Sequence, residues 1–308
     1  LLYPSAMMRA DNWHEGNVIK YIYKEKNLTS HKISRILKVL GDERLQREFF
    51  GYYISSLAHL LEGIIIDTTA LPNQIHIPFN SWGYNDGSID KQIRFLCIVD
   101  KRQHIPLYFR YLPGNIVYVS TLSVTISELK QYGILKNFVL IGAGFFSEEN
   151  IRELYSEGID FLTRLPSSRT IYRELIKQEV SGIERVENAI LYGKRALFIK
   201  EKEIDLYGNK GYAYIILDSE RKGSETKILL IELLQGERDD DKEYKLLKQG
   251  IMILVSSSPI DKKEVVSFYY LRQSVESLFG FSKDDLKLIP LRAHKEETLR
   301  GYLFLIFI

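Results

Sequence analysis

The chain has 308 residues, of which 45% are hydrophobic and 27% charged, the proportions of an ordinary soluble globular protein. Its net charge of +2 is too small to indicate nucleic-acid binding by itself, and its single cysteine, Cys97, excludes a disulfide framework and a cysteine-based zinc site. No basic segment followed by an apolar run marks a signal peptide, and no apolar run approaches the roughly 20 residues that cross a bilayer.

The first part of the chain predicts helices and then an antiparallel meander. Apolar residues recur at spacings of three and four over residues 1–60, which indicates helices. Three short apolar runs follow at residues 63–72, 92–100 and 105–114, and a polar turn separates the last two. We therefore expect three antiparallel strands. The chain begins with Leu and ends in the apolar "RGYLFLIFI", so we also expect a fragment of a longer protein.

Helices and strands then alternate. Residues 120–133 predict a helix that ends at a glycine, and "NFVLIGAGFFSEEN" at residues 137–150 predicts a strand, a Gly-Ala-Gly turn and a helix start. That helix, residues 147–158, has Ser147 as its cap, and "IDFLTRLP" at residues 159–166 is the next strand. Three strands, a helix, a strand, a helix and a strand are the order that a ribonuclease H-like sheet requires.

A long inserted segment separates these strands from the last helices. It contains a predicted helix, strands over residues 188–218 around the turn "YGNKGY", and a further predicted strand over residues 226–235. One helix is predicted over residues 261–287. The fold class is therefore α/β, with a mixed five-stranded ribonuclease H-like sheet, flanking helices and a β-rich insertion before the last catalytic helix. The predicted domains are a helical N-terminal region, 1–60; a ribonuclease H-like core, 61–166 and 260–308; and the insertion, 167–259.

The final predicted helix carries four polar residues in line. Tyr269, Arg272, Glu276 and Lys283 have the spacing Y-x2-R-x3-E-x6-K, and fall within about 60° of one another on a helical wheel. An amphipathic surface helix with an Arg272–Glu276 pair would explain the same spacing.

This spacing resembles the signature of the IS4-type transposases, a group within the DDE transposases. Three other segments are similar to that family: "IIIDTTAL", which resembles its first catalytic strand, "IPLYFRYLPGN", and "FVLIGAGFFSEEN", where the family reads Asp-Ala-Gly-Phe or Asp-Arg-Gly-Phe. The resemblance extends from about residue 60 to the end of the chain. It implies catalytic positions at Asp67, Gly142 and Glu276, and DNA-contacting side chains at Tyr269, Arg272 and Lys283.

In the family, two aspartates and one glutamate hold two divalent cations, Mg²⁺ or Mn²⁺, that promote in-line attack on a phosphodiester. The resemblance makes Asp67 and Glu276 metal ligands and leaves glycine at Gly142, where the second aspartate belongs. A two-metal site weakened by this loss is the expectation. A phosphate-binding loop, a plain turn and replacement of the acid by Glu148 or Glu149 are the alternatives.

The resemblance implies a cytoplasmic, nucleoid-associated transposase that acts on double-stranded DNA at terminal inverted repeats and target sites, without membrane contact. Family members work as dimers, so a homodimer is expected. The alternatives are a non-catalytic DNA-binding remnant and an unrelated α+β protein with coincidental spacing. Arg164 is a weaker candidate for a phosphate contact, and Tyr192 or Tyr212 for the aromatic residue that stacks on a DNA base in the family.

Overall fold

The computed structural model describes residues 9–23, 28–85, 88–115, 119–134, 138–235, 241–286, 288–291, 293 and 295–308. The helices in these ranges are α1 (Ala10–Glu15), α2 (Ile19–Ile22), α3 (Ser30–Leu40), α4 (Glu43–Leu57), α5 (Val119–Gln131), α6 (Glu148–Ser156), α7 (Thr170–Glu179), α8 (Ser219–Leu234), α9 (Lys242–Leu247), α10 (Val265–Tyr270), α11 (Gln273–Asp284) and α12 (Glu296–Phe307). The strands are β1 (Ile64–Pro72), β2 (Ser81–Asn85), β3 (Ser88–Asp100), β4 (Pro106–Pro113), β5 (Phe138–Ile141), β6 (Asp160–Arg164), β7 (Ala189–Tyr192), β8 (Arg195–Leu206), β9 (Asn209–Asp218) and β10 (Ile251–Ser256).

Five strands form the ribonuclease H-like sheet. Strand β1 pairs antiparallel with β3, and β3 pairs antiparallel with β4. On its other side β1 pairs parallel with β5, and β5 pairs parallel with β6. The meander and the two parallel strands therefore have the order that the sequence predicts, and the predicted fold class is confirmed.

The inserted segment continues the same sheet. Strand β10 pairs antiparallel with β6 on one side and with β9 on the other, and β8 and β7 complete the ten-stranded sheet of the described chain. All six residues of β10 are buried. A strand covered on both faces has no alternation of polar and apolar residues, which explains why β10 was absent from the sequence prediction.

The strand predicted over residues 226–235 is wrong, because these residues belong to α8. The helix starts at Asp218, whose carboxylate accepts hydrogen bonds from the backbone N–H groups of Glu220 and Arg221. Only Leu229 of this helix is buried, and Ile228, Ile231 and Leu234 are exposed. Leucine, glutamate and lysine favour helix, so local propensity rather than apolar content decides this segment.

The single helix predicted over residues 261–287 is also wrong in detail. It is divided into α10 and α11 between Tyr270 and Gln273. The backbone N–H groups of Arg272 and Val275 bond to carbonyls three residues earlier, at Tyr269 and Arg272 respectively, so the chain tightens into a 3₁₀ turn at the junction. This turn places Arg272 between the two helices.

The strands around β1 form the centre of the core. Ile64, Ile65 and Ile66 are buried on β1, as are the apolar residues of β5 and β6. Their β-branched side chains suit a central strand that is covered on both faces. Within the described residues, no helix combines the length and apolarity needed to cross a bilayer.

Candidate functional site

Three neighbouring strands present one residue each at the same level of the sheet. Ile66, Ile141 and Thr163 are in register across the parallel strands β1, β5 and β6. Side chains alternate between the faces of a strand, so the next residues share the opposite face. These residues are Asp67, Gly142 and Arg164. The predicted proximity of Asp67 and Gly142 thus follows directly from the parallel register.

Arg272 connects this row to the helices. Its Nη2 donates to Oδ2 of Asp67 at 2.7 Å and lies 3.6 Å from Oε1 of Glu276. Its Nη1 donates to the phenol oxygen of Tyr269 at 2.8 Å. One guanidinium therefore contacts both predicted acids and the predicted phenol, so these four signature and strand residues form one cluster.

The members of the cluster differ in burial. Tyr269 is 6% exposed and Asp67 7%, whereas the Glu276 side chain is 59% exposed. Burial raises the pKa of Tyr269, although the positive charges of Arg272 and Arg164 oppose this rise. Burial alone would lower the pKa of Arg272, but the carboxylate of Asp67 raises it overall. The guanidinium thus remains charged and neutralises Asp67.

Lys283 lies further along α11. Its Nζ donates to the hydroxyl of Thr69 at 2.7 Å, two residues beyond Asp67 on the same strand. Asp67 and Thr69 share a face of β1, so Lys283 lies on the face that carries the cluster. The four signature residues therefore run along this face even though their helix is divided.

Gly142 has an ordinary backbone conformation, with φ −71° and ψ 159°, which any residue adopts. A Cβ atom added there would lie 3.4 Å from Oδ1 of Asp67 and 3.5 Å from Nη2 of Arg272, both normal van der Waals distances. No steric or conformational reason therefore requires glycine. A side chain at this position would point directly into the cluster.

The residues present do not fit a site for two divalent cations. Such a site requires three carboxylates, and the described residues contain no group of three histidine, cysteine, aspartate or glutamate side chains that could hold a metal. Asp67 is already paired with Arg272, and its Oδ1 accepts a hydrogen bond from the backbone N–H of Thr68.

The alternatives for the turn after β5 are resolved unequally. Ala143–Phe145 form one 3₁₀ turn, and Ser147 caps α6 through the N–H of Asn150. Glu148 is exposed in the first turn of α6 and pairs with Arg152 at 2.9 Å. Glu149 is exposed beside it, so neither glutamate joins Asp67 and Glu276. These two residues act as first-turn acids of the helix.

Two features of the cluster were absent from the sequence prediction. The first is the Asp67–Arg272 pair, since no pattern in the sequence links residues on a strand and a distant helix. The second is Arg164, whose place in the row follows only from the register of β6. Tyr192 stacks on Tyr270 with ring centroids 5.4 Å apart, next to the cluster. Tyr212 lies under Lys210 on the inserted strands.

The protein family described as "Transposase DDE domain" matches residues 58–308. No curated protein matches the chain at a significant level. Among solved structures, the chain is similar to the cryo-EM structure of a piggyBac transposase synaptic complex with hairpin DNA, with a TM-score of 0.45 and 11% sequence identity. The similarity covers 80% of this chain and 46% of that chain, so the present sequence spans less than half of its length.

Proposed function

Because this chain belongs to the transposase DDE domain family, we propose that it is a DNA transposase of the IS4 type with impaired chemistry. Its ancestral reaction is the metal-dependent cleavage and transfer of DNA strands at transposon ends. The observation that carries this proposal is the convergence of Asp67, Gly142 and Glu276 around Arg272. The IS4 subtype rests on the spacing of the four signature residues.

The roles follow from the chemistry of each group. Asp67 and Glu276 are the retained acids, and Gly142 stands where the second acid would project between them. Arg272 and Lys283 are the phosphate-contacting cations, since a guanidinium binds phosphate through paired donors and an ammonium acts as a point charge. Tyr269 is buried, so we assign it to positioning Arg272 through their hydrogen bond.

Loss of one carboxylate leaves the acid set incomplete for Mg²⁺ or Mn²⁺, the ions that oxygen ligands of this kind prefer. We therefore infer weak metal binding and a strongly reduced rate of strand cleavage. The substrate would be double-stranded DNA at terminal inverted repeats, followed by target DNA, in the cytoplasm at the nucleoid.

A second candidate, a DNA-binding remnant without chemistry, is favoured by the Asp67–Arg272 pair. In the absence of metal, an unpaired carboxylate would repel a DNA phosphate, and the guanidinium at 2.7 Å removes that repulsion. Such a protein would bind DNA with a steep dependence on salt, because each neutralised phosphate releases counterions.

A nicking assay separates the two candidates. Supercoiled plasmid carrying the inverted repeats that flank the gene would be incubated with the protein and Mg²⁺ or Mn²⁺. The impaired transposase predicts trace nicking that Gly142→Asp increases and that adding Asp67→Asn to Gly142→Asp abolishes. DNA binding without nicking in every variant would support the remnant, and absence of both binding and nicking would refute both candidates.

A homodimer is part of the proposal because the resemblance implies it. Light scattering coupled to size-exclusion chromatography, with and without DNA, measures it directly. A monomer in both conditions would contradict a dimeric transposase while leaving a monomeric DNA-binding remnant in place.

A further inference from the structure

A basic groove lies beside the candidate site, on the inserted segment. It has a volume of about 390 Å³ and is bounded by the end of β6 and by α7, α8 and α9. Its lining includes four basic side chains and two acidic ones. The basic residues are Arg164, Arg221, Lys245 and Lys248, and the acidic ones are Glu225 and Glu232.

The acids leave two of the basic groups uncompensated. Glu225 accepts hydrogen bonds from Nε of Arg221 at 2.6 Å and from the backbone N–H of Gly250 at 2.7 Å. Within the described part of the chain, no carboxylate lies within ion-pair distance of Arg164 or Lys248. Both side chains are half-buried. A partly desolvated guanidinium without an anion is an unfavourable arrangement in a monomer, and a bound anion would relieve it.

The groove is continuous with the candidate site. Arg164 lies in the row that contains Asp67 and Gly142, on the same face and two strands away, or roughly 10 Å at the usual strand spacing. Its charge acts on tyrosines on both sides. Burial raises the pKa of Tyr172 in the groove to about 12 and also raises the pKa of Tyr269 in the cluster, and Arg164 opposes both rises.

We propose that Arg164 and Lys248 bind a backbone phosphate of the DNA strand that passes the Asp67–Arg272 pair. Arg164 supplies the planar donor pair, Lys248 supplies a second charge, and Arg221 lies at the rim of the same groove. The row thus extends from the point of cleavage onto the inserted segment, which becomes part of the DNA-binding surface. This inference rests on the proposed function, because it requires DNA at the neighbouring cluster.

The test uses the full chain and a short synthetic duplex, with affinity measured over a range of salt concentrations. The double variant R164A/K248A should bind several-fold more weakly. Its plot of log affinity against log salt should be shallower by about 0.9 for each phosphate that the variant no longer neutralises. The matched control K177A/K227A removes two exposed charges from α7 and α8 outside the groove. It should keep the slope of the unaltered chain.

Each outcome has one meaning. If the unaltered chain binds DNA and R164A/K248A matches the control, the groove is not a phosphate site, and the proposed function stands. If the unaltered chain does not bind DNA even at low salt, the proposed function itself fails. R164K keeps the charge and guards against misfolding, and it should retain part of the salt slope. Stabilisation by inorganic phosphate that depends on Arg164, with DNA affinity unchanged, would overturn the assignment to DNA in favour of a free anion.

Discussion

Arg272 and Asp67 form a buried ion pair of 2.7 Å between a strand and a helix that are 205 residues apart. The Asp67 side chain is 11% exposed and that of Arg272 17%. Removal of one partner from such a pair leaves the other charge uncompensated. We therefore expect Arg272→Ala to lower the free energy of unfolding by about 3–5 kcal/mol, as measured by urea denaturation at pH 7.

Two controls isolate the effect of the ion pair. Arg44→Ala removes an exposed pair with Glu48 on α4 and should change the stability by no more than about 0.5 kcal/mol. The double variant D67N/R272A should be less destabilised than Arg272→Ala, because no buried charge remains unpaired. Equal losses for Arg272→Ala and Arg44→Ala would contradict the buried pair.

Gly142→Asp should create a metal site, because the new Cβ has room beside Asp67 and Arg272. The third carboxylate would complete an oxygen donor set, so calorimetry should find binding of Mn²⁺ at least about tenfold tighter than in the unaltered chain. Release of Asp67 from Arg272 would oppose part of this gain. Gly142→Asn has nearly the same shape without the charge and should not bind more tightly. Tight stoichiometric binding by the unaltered chain would refute the role given to Gly142.

The sequence predicts the strands of the site well for a local reason. Strands β1, β5 and β6 are short runs rich in β-branched or aromatic residues, and glycine, proline or polar turns bound each of them. The position of Asp67 within β1 and of Gly142 just after β5 follows from those boundaries. Their proximity then requires only that the two strands be parallel neighbours, which the alternation of helix and strand indicates.

The rest of the site depends on contacts that no local pattern contains. Helical spacing predicts that Arg272 is near Tyr269 and Glu276, but the partner that neutralises it lies on β1. The 3₁₀ junction that orients Arg272 has no proline or glycine to announce it. Strand β10 lacks alternation because both of its faces are covered, and without β10 the place of Arg164 inside an extended sheet is hidden.

The stability of the protein should fall in alkaline solution, partly through Tyr172. Burial raises the pKa of this residue from 10.0 to about 12, with a contribution from Tyr244, while Arg164 and Arg221 oppose the shift. The unfolded chain then loses the proton at lower pH than the folded chain does. The contribution of Tyr172 is thus fully present below pH 10 and decreases as the pH rises towards about 12.

Urea denaturation across this pH range measures the effect. Tyr172→Phe loses the hydrogen bond to the carbonyl of Ile251, which costs about 1 kcal/mol at neutral pH, but its stability should decline less between pH 10 and about 12. Tyr52→Phe changes an exposed tyrosine on α4 and should follow the unaltered chain. Parallel curves for all three proteins would show that Tyr172 ionises equally in both states.

Gly301 and Gly41 allow α12 and α3 to pack backbone against backbone. A Cβ at Gly301 would come within 1.8 Å of the carbonyl oxygen of Leu37, and a Cβ at Gly41 within 1.8 Å of that of Glu297. No rotamer change relieves a clash with main-chain atoms. Gly301→Ala should therefore separate the helices and lower the unfolding free energy by at least about 1–3 kcal/mol, with faster proteolysis within α3.

Gly280→Ala is the matched control, since Gly280 also lies within a helix but has no atom within 4 Å of its added Cβ. Alanine should stabilise α11 there by about 0.5–1 kcal/mol through its higher helix propensity. Opposite signs for the two substitutions would show that close helix packing, rather than a general intolerance of alanine, requires Gly301. If Gly301→Ala is instead stabilising, α3 does not pack closely on α12, and the helices before residue 60 are not anchored to the catalytic sheet through this contact.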